Sequence, residues 1–211
     1  MMTTRWDRRF GPSAMIWLSL ACATAVGAQA EGGSPSAIAP PVAQQTADCA
    51  RPTYATDQLV CTDAALLALD TQLAEMITVR GQAVEPGTPW REEQKAWFDR
   101  RSRCAFLADH RGCVAAAYQM RLVELRALAS PPGAGNHVRC VPDLAVTITG
   151  AGELGSRSLL DRSGRIALVA FPTGRGPWQP FVTWQARSKT VRISSLDGTT
   201  IASCELERRD L

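Results

Sequence analysis

The chain has 211 residues, 20% of them charged, and a formal net charge of +3. The first 30 residues carry +2 of that charge, so the remainder is close to neutral and offers a nucleic-acid partner no electrostatic support. Residues 31–211 suffice for one ordinary domain or two small ones, since domains commonly have about 100–200 residues. A change in composition along the chain favours two.

The N-terminus has the three parts of a secretory signal peptide. Three arginines within residues 1–9 provide a charged start, residues 14–23 form an apolar run, and residues 28–30 (Ala-Gln-Ala) match the pattern that signal peptidases cleave. The apolar run is too short for a membrane span, which needs about 20 residues, and no later segment approaches that length. We therefore predict cleavage after Ala30 and a periplasmic or secreted protein without a transmembrane span.

A lipid anchor is the alternative for this segment. Leu20, Ala21 and Cys22 resemble the end of a lipobox, in which the cysteine is lipidated and anchors the chain to a membrane. Ser19 stands where such sites favour leucine. Cleavage after Ala30 is therefore the preferred prediction, and anchoring at Cys22 stays open.

Seven cysteines are present, and Cys22 would leave with the signal peptide. The other six suit the disulfides of a small exported protein, but six cysteines allow fifteen pairings, among which spacing cannot choose. Local organisation favours two short-range pairs at helical corners and one pair that brackets the C-terminal region. The predicted disulfides are Cys49–Cys61, Cys104–Cys113 and Cys140–Cys204.

A metal site is the alternative use of these cysteines. The sequence has no Cys-x-x-Cys, and only His110 and His137 could join the cysteines as ligands. We therefore predict neither a metal nor another cofactor.

A flexible linker and then a helical region follow the signal peptide. Residues 31–47 are rich in glycine, proline and small polar residues, which cannot bury a core. Residues 48–129 show apolar side chains at helical spacing. Asp63 is placed to cap a first helix, and Gly81 is placed to end it.

Two further helices are predicted in this region. Thr88 can cap the second, with Pro89 at its first helical position and acidic residues in its first turn, where they suit the helix dipole. The third helix follows Gly112. The Cys104–Cys113 disulfide would then join the corner between them.

The rest of the chain changes to a two-residue period. Residues 130–136, rich in proline and glycine, predict a linker, and residues 137–211 alternate apolar and polar side chains. Turn signals occur at Ser163-Gly164 and at Asp197-Gly198, where a hairpin is predicted. The predicted fold class is α+β, with a disulfide-stapled antiparallel helical domain (48–129) followed by a small antiparallel β domain (137–211) of six to eight strands, rolled into a barrel or sandwich.

A set of motifs runs through the helical region in a fixed order. It consists of four cysteines, a Leu-rich segment that ends near Leu73, a Gln-x-x-Trp element and a Tyr-x-x-Arg-Leu element. In these motifs, residues 48–128 resemble the N-terminal domain family of LprI-type lysozyme inhibitors. The motif residues with a structural role are Asp70, Gln94, Trp97, Arg101, Tyr118 and Arg121. The match fits a stapled helical hairpin in which Trp97 and Tyr118 fill the core, while Arg101 and Arg121 pair with Asp70 or with carbonyl groups.

The β region carries a fainter set of motifs, in residues 137–140, 183–184, 191–193, 197–198 and 202–204. In these motifs it resembles the MliC-type family of inhibitors of C-type lysozyme. That resemblance implies a small β-barrel closed by a disulfide between its first and last strands. The family's inhibitory Ser-Gly-x-x-Tyr-like element is replaced here by residues 171–180, with the aromatic residue displaced by one position.

The loop from Pro172 to Pro180 is the candidate partner-binding element. Its prolines would restrict the backbone around Arg175 and Trp178, which lowers the entropic cost of binding. Arginine and tryptophan are common anchors of protein interfaces. The candidate residues are Thr173, Gly174, Arg175 and Trp178. The alternative is a plain strand connector with Trp178 folded over the end of the barrel.

Catalysis is not predicted. The sequence has no Gly-x-Ser-x-Gly, no His-Glu-x-x-His and no phosphate-binding loop. Glu92 and Glu93 could form a carboxylate pair, but adjacent helical positions point about 100° apart, so they suit a solvated first turn better. The predicted function, from the resemblances, is non-covalent inhibition or binding of lysozyme-type muramidases without a cofactor. The alternative is a non-inhibitory envelope module that binds another protein or cell-wall material.

The net charge of the β region does not favour binding to a C-type lysozyme. Residues 137–211 contain ten Lys or Arg and seven Asp or Glu, a net charge of +3, and C-type lysozymes are themselves basic. Long-range attraction would therefore be weak, and short-range fit must provide most of the affinity.

Overall fold

A computed structural model describes residues 45–79, 90–130, 135–141, 147–149, 151–174, 176–187 and 190–205. The predicted signal peptide, Cys22 and most of the predicted linker lie outside these ranges. Among the described residues, no helix is both long and apolar enough to cross a membrane.

The described residues of the helical part form four helices: α1 (Ala55–Thr62), α2 (Ala64–Val79), α3 (Gln94–Ser102) and α4 (His110–Ala129). A 3-10 turn, Arg103–Phe106, follows α3 directly. Asp63 separates α1 from α2 and caps α2, because its Oδ1 accepts hydrogen bonds from the backbone N–H groups of Ala65 (3.0 Å) and Leu66 (3.1 Å). The predicted cap is thus confirmed, whereas α1 was not predicted.

The second predicted helix begins later than expected. The sequence placed its start at Pro89, which lies outside the described residues, but α3 starts at Gln94. Glu92 instead accepts two hydrogen bonds from Arg100, at 2.6 and 2.7 Å, and Arg91 donates to backbone carbonyl groups of the sheet. The sequence had placed Glu92 in the first turn of a helix, but its side chain makes a tertiary contact instead, and such contacts can override local helix signals.

The β part is an eight-stranded sheet in the described residues, in the order β1-β3-β4-β5-β6-β7-β8-β2. The strands are β1 (Gly135–His137), β2 (Arg139–Val141), β3 (Thr147–Thr149), β4 (Arg157–Leu160), β5 (Ile166–Pro172), β6 (Val182–Arg187), β7 (Thr190–Ser195) and β8 (Thr200–Glu205). The two strands at its edges, β1 and β2, are separated only by Val138. One short segment therefore pairs with β3 at one end and with β8 at the other, which requires the sheet to curl on itself.

The predicted α+β class is confirmed, with one difference in the sheet. The hairpin at Asp197-Gly198 joins β7 to β8, and the turn at Ser163-Gly164 joins β4 to β5, as predicted. However, β5 and β6 are parallel, with Phe171 opposite Thr183. Because only the last two residues of β5 pair with β6, residues 173–181 suffice to connect them, where a full parallel crossover needs about a dozen residues or more.

Helix α4 packs against the outer side of β5. Val123 of α4 is buried in one cluster with Val169 and Phe171, while Leu168 and Ala170 face the core inside the curled sheet. Strand β5 is therefore covered on both faces, which explains why its sequence is apolar without alternation. The helical part and the sheet share a buried interface.

All three predicted disulfides are present. Cys49–Cys61 ties the incoming segment to α1, Cys104–Cys113 joins the 3-10 turn to α4, and Cys140–Cys204 links directly opposed residues of β2 and β8. Each disulfide therefore fixes a different part of the fold.

Candidate functional site

The most deeply buried charged side chains among the described helical residues are Arg101 and Asp57, both 0% exposed. The guanidinium of Arg101 donates to the carboxylate of Asp57 and to the hydroxyl of Tyr118. That hydroxyl donates to Asp70 Oδ1 over 2.6 Å. Burial raises the pKa of Tyr118, so its hydroxyl keeps the proton that it donates. These contacts join α1, α2, α3 and α4 through a single polar chain.

A second group of polar contacts holds the segment before α1. Arg121 Nε donates to Gln94 Oε1 (3.0 Å), and Gln94 Nε2 donates to the carbonyl oxygen of Gln45 (2.9 Å). Asp70 Oδ1 also accepts from the backbone N–H of Ala47 (3.1 Å). These hydrogen bonds attach the end of the predicted linker to α2 and α3. The side chains that make them also belong to the helical core.

The structure brings the six motif residues together in the helical core. Trp97 and Tyr118 contact each other edge to face, with ring centroids 5.4 Å apart, as the predicted hairpin requires. The ion-pair partner of Arg101 is Asp57, which the sequence reasoning missed because α1 was not predicted. Since these side chains are buried and pack or hydrogen-bond within the helical part, they support the fold and do not form a surface that a partner could contact.

The predicted partner-binding loop lies between β5 and β6, and its members are placed differently. Trp178 is 6% exposed and packs in the core of the helical part. The guanidinium of Arg100 lies 3.8 Å from the centre of the Trp178 ring, and it also donates to the carbonyl oxygen of Gln179 (2.7 Å). These contacts attach the loop to α3 and shield the Trp178 ring from solvent. Arg175 lies outside the described residues.

Thr173 and Gly174, two exposed residues of this loop, line a groove of about 260 Å³. Its floor is the outer face of β6 and β7, where Thr183 is opposite Ser194 and Gln185 is opposite Arg192. The groove is lined by Thr173, Gly174, Gln179, Pro180, Thr183, Gln185, Arg192, Ser194, Ser195 and Gly198. This lining contains hydroxyl and amide groups and a guanidinium but no carboxylate. The groove suits a polar ligand that carries negative charge.

A third surface was not predicted. Phe106, at the end of the 3-10 turn, is 87% exposed, and Leu107 beside it is 45% exposed. Both lie between the bonded cysteines Cys104 and Cys113. The available signal was the apolar run Ala-Phe-Leu-Ala inside a short cysteine-bounded loop.

The described residues contain no group of three or more His, Cys, Asp or Glu side chains placed to hold a metal ion. His110, in the corner before α4, is instead bonded to Thr56, with 3.1 Å between His110 Nε2 and Thr56 Oγ1. Burial lowers the pKa of His110. In the described part of the chain, the histidine therefore belongs to the packing of α1 against the corner.

Comparison with known proteins finds curated relatives in mycobacteria. The chain is 34% identical over 124 residues to proteins named lipoprotein LprI from Mycobacterium bovis (strain ATCC BAA-935 / AF2122/97) and Mycobacterium tuberculosis (strains CDC 1551 / Oshkosh and ATCC 25618 / H37Rv). The match covers 56% of this chain and 61% of each relative. This chain thus spans about three fifths of the length of the curated relatives that it matches, and the similarity supports an LprI-like relationship.

No known protein-family profile matches the chain. No solved structure matches it at a significant level either. The resemblance of the β part to MliC-type inhibitors therefore stays a prediction.

Proposed function

We propose that this protein is exported and binds lysozyme-type muramidases, inhibiting them by non-covalent occlusion without a cofactor. The observation that carries the proposal is the similarity to lipoprotein LprI, together with the resemblance of residues 48–128 to LprI-type lysozyme inhibitors. The helical part has the disulfide-stapled core on which that resemblance depends. An inhibitor of this kind presents a rigid surface and performs no reaction of its own.

The disulfides support an extracytoplasmic location. Three disulfides would not persist in a reducing cytoplasm, whereas the periplasm and the cell exterior preserve them. The relatives are named lipoproteins, which adds weight to lipidation at Cys22 as an alternative to cleavage after Ala30. Mass spectrometry of the mature N-terminus distinguishes the two forms, since a lipidated Cys22 and a free Glu31 differ in mass.

The loop before β6 is one candidate for the binding surface, through its exposed residues. Thr173 and Gly174 are open to solvent, and the loop is attached to a sheet closed by Cys140–Cys204, as in the predicted MliC-like arrangement. Trp178 would reach a partner only if the loop left α3. Replacing Arg175 and Thr173 together with alanine tests the loop, and unchanged inhibition by that variant would exclude the loop from the binding surface.

A lysis assay tests the function itself. Muramidases of several classes are mixed with cell walls, and the fall in turbidity is followed with and without the purified, oxidised protein lacking residues 1–30. We expect lysis by at least one class to slow in proportion to the protein added. The same protein after reduction and alkylation serves as the control and is expected to lose the effect. Undiminished lysis by every class would contradict the proposal.

Binding of cell-wall material is a second candidate function, favoured by the groove on β6 and β7. Arg192 projects among hydroxyl and amide groups there, and its guanidinium makes no hydrogen bond or ion pair with the described residues. Peptides and sugars of the wall offer carboxylates and hydroxyl groups that such a lining can bind. Cosedimentation with insoluble peptidoglycan tests this function. We expect Arg192→Gln to weaken binding and Arg187→Gln, a change of an exposed arginine on β6 outside the groove lining, to leave it unchanged.

A further inference from the structure

The segment from Cys104 to Cys113, here called the stapled loop, exposes an apolar side chain to solvent. Phe106 is 87% exposed, more than any other large hydrophobic side chain in the described residues; Val141 follows at 69%. Leu107 extends the exposed surface at 45%. A phenylalanine in this position contributes little to the core, whereas aromatic side chains on protruding elements are frequent anchors of protein interfaces.

The stapled loop is rigid at both ends. Its two cysteines are 1% exposed and bonded to each other. The backbone N–H of Leu107 donates to the carbonyl oxygen of Cys104 (3.0 Å), and Asp109 caps α4 by accepting from the backbone N–H of Gly112 (2.8 Å). Because the loop is already ordered, it would lose little conformational entropy when a partner covers it.

An exposed arginine lies one 3-10 turn before the exposed ring. Arg103 is exposed and begins the 3-10 turn that ends at Phe106. In a 3-10 turn, side chains three positions apart lie above one another, so Arg103 and Phe106 project on the same side. The guanidinium of Arg103 makes no hydrogen bond or ion pair with any described residue. Arg111, further along the loop, is paired with Asp63, with 2.7 Å between Nε and Oδ2.

The combination of the exposed Phe106 and the exposed guanidinium of Arg103 fits the substrate cleft of a glycoside hydrolase. The cleft of such an enzyme is concave and normally holds two carboxyl groups that act on the glycosidic bond. A rigid loop with an exposed phenylalanine, and with an exposed arginine one 3-10 turn before it, can complement such a cleft through an apolar contact and through charge. It does so locally, even where the enzyme as a whole is basic.

We infer that the stapled loop enters the substrate cleft of the muramidase, with Phe106 seated in the cleft and Arg103 facing its carboxyl groups. The inference rests on the proposed function and assigns the binding surface to the helical part, away from the loop at residues 172–180. The fastening of that other loop by Arg100 and the burial of Trp178 agree with this assignment.

The test compares Phe106→Ser and Arg103→Gln with a matched control, Val141→Ser, which also replaces an exposed apolar side chain but lies on β2. Inhibition of lysis and direct binding to the muramidase are both measured, with and without an N-acetylglucosamine trimer that occupies the cleft. Phe106 is exposed, so its variant is expected to keep the far-ultraviolet circular dichroism and the thermal midpoint of the wild type.

We expect Phe106→Ser to weaken inhibition about 30-fold or more, as for an interface hot spot, Arg103→Gln to weaken it about tenfold, and Val141→Ser to change it less than twofold. We also expect the trimer to compete with the wild-type protein. If the wild type inhibits and Phe106→Ser inhibits equally well, the stapled loop is not the binding element, while the proposed function stands. If the wild type neither binds nor inhibits any muramidase, both proposals fail.

Discussion

The guanidinium of Arg100, on α3, lies 3.8 Å from the centre of the Trp178 ring, in the loop between β5 and β6. The same guanidinium makes two hydrogen bonds with Glu92, whose side chain is almost fully buried. One arginine thus joins the start of the second helical segment to the loop that leaves the sheet. The contact fixes how the helical part and the sheet pack against each other.

We predict that Arg100→Ala lowers the free energy of unfolding by about 3 kcal/mol, because it leaves the buried Glu92 without its cation and uncovers Trp178. The measurement is urea denaturation of the oxidised protein. Lys95→Ala is the control, since Lys95 pairs with Asp99 on an exposed helix face and should cost less than about 0.5 kcal/mol. Equal losses in the two variants would show that Arg100 does not join the two parts.

A double-mutant cycle tests the buried ion pair of Arg101 and Asp57. Removing either partner alone leaves a buried charge unpaired, so Asp57→Ala and Arg101→Met are each expected to cost about 3–5 kcal/mol of unfolding free energy. The double variant should cost clearly less than the sum of the two. Additive losses would indicate that the two side chains do not stabilise each other.

The disulfides should differ in their contribution to stability. On the chain-entropy account, Cys140–Cys204, which closes 64 residues, should contribute about 4 kcal/mol, and Cys104–Cys113, which closes 9, about 2.5 kcal/mol. Paired Cys→Ala variants, unfolded in guanidinium chloride, measure this difference. We also expect loss of the Cys104–Cys113 disulfide to reduce muramidase inhibition more than loss of Cys140–Cys204, despite its smaller effect on stability. The opposite order of inhibition would contradict the role of the stapled loop.

Asp63 makes stability depend on acid pH. The hydrogen bond from Arg111, followed by the one from the backbone N–H of Leu66, holds the pKa of Asp63 below its ordinary value of 3.8. The folded protein therefore favours the carboxylate, and the unfolded chain binds more protons in this range. Stability from Asp63 is present above pH 3.8 and is lost as the pH falls through the lower, folded-state pKa.

The pH prediction is checked by comparing wild type and Asp63→Ser in denaturant titrations from pH 7 to pH 2. Serine keeps a helix cap without a charge. We expect the difference in stability between the two proteins to shrink as the pH falls below 3.8. A difference that stays constant over this range would exclude the ion pair with Arg111 as its source.

Features that depend on neighbouring residues could be predicted from the sequence. The Asp63 cap and the Asp197-Gly198 hairpin follow from capping and turn chemistry, and the three disulfides follow from the position of the cysteines relative to the predicted elements. These signals act over a few residues, or between elements whose order is already known. They were sufficient for the α+β class and for the residues of the helical core.

Features that depend on distant contacts could not be predicted. Asp57 meets Arg101 across 44 positions of sequence, and Arg91 reaches a strand 75 residues away, so neither pairing has a local signal. For Trp178, a position folded back onto the protein was one of the two alternatives, but a proline-rich loop gives no indication that α3, and not the end of the barrel, covers the ring. Phe106 likewise had no local signal for its exposure, since only the packing of the surrounding elements decides which apolar side chains face solvent.

Calorimetric titration of a muramidase with the oxidised protein, with residual lytic activity measured at each step, tests whether this protein binds and inhibits the enzyme. We expect a saturable one-to-one complex, a loss of lysis in proportion to the complex formed, and a marked weakening of both by Phe106→Ser. Absence of binding heat together with undiminished lysis across all muramidase classes would contradict this expectation.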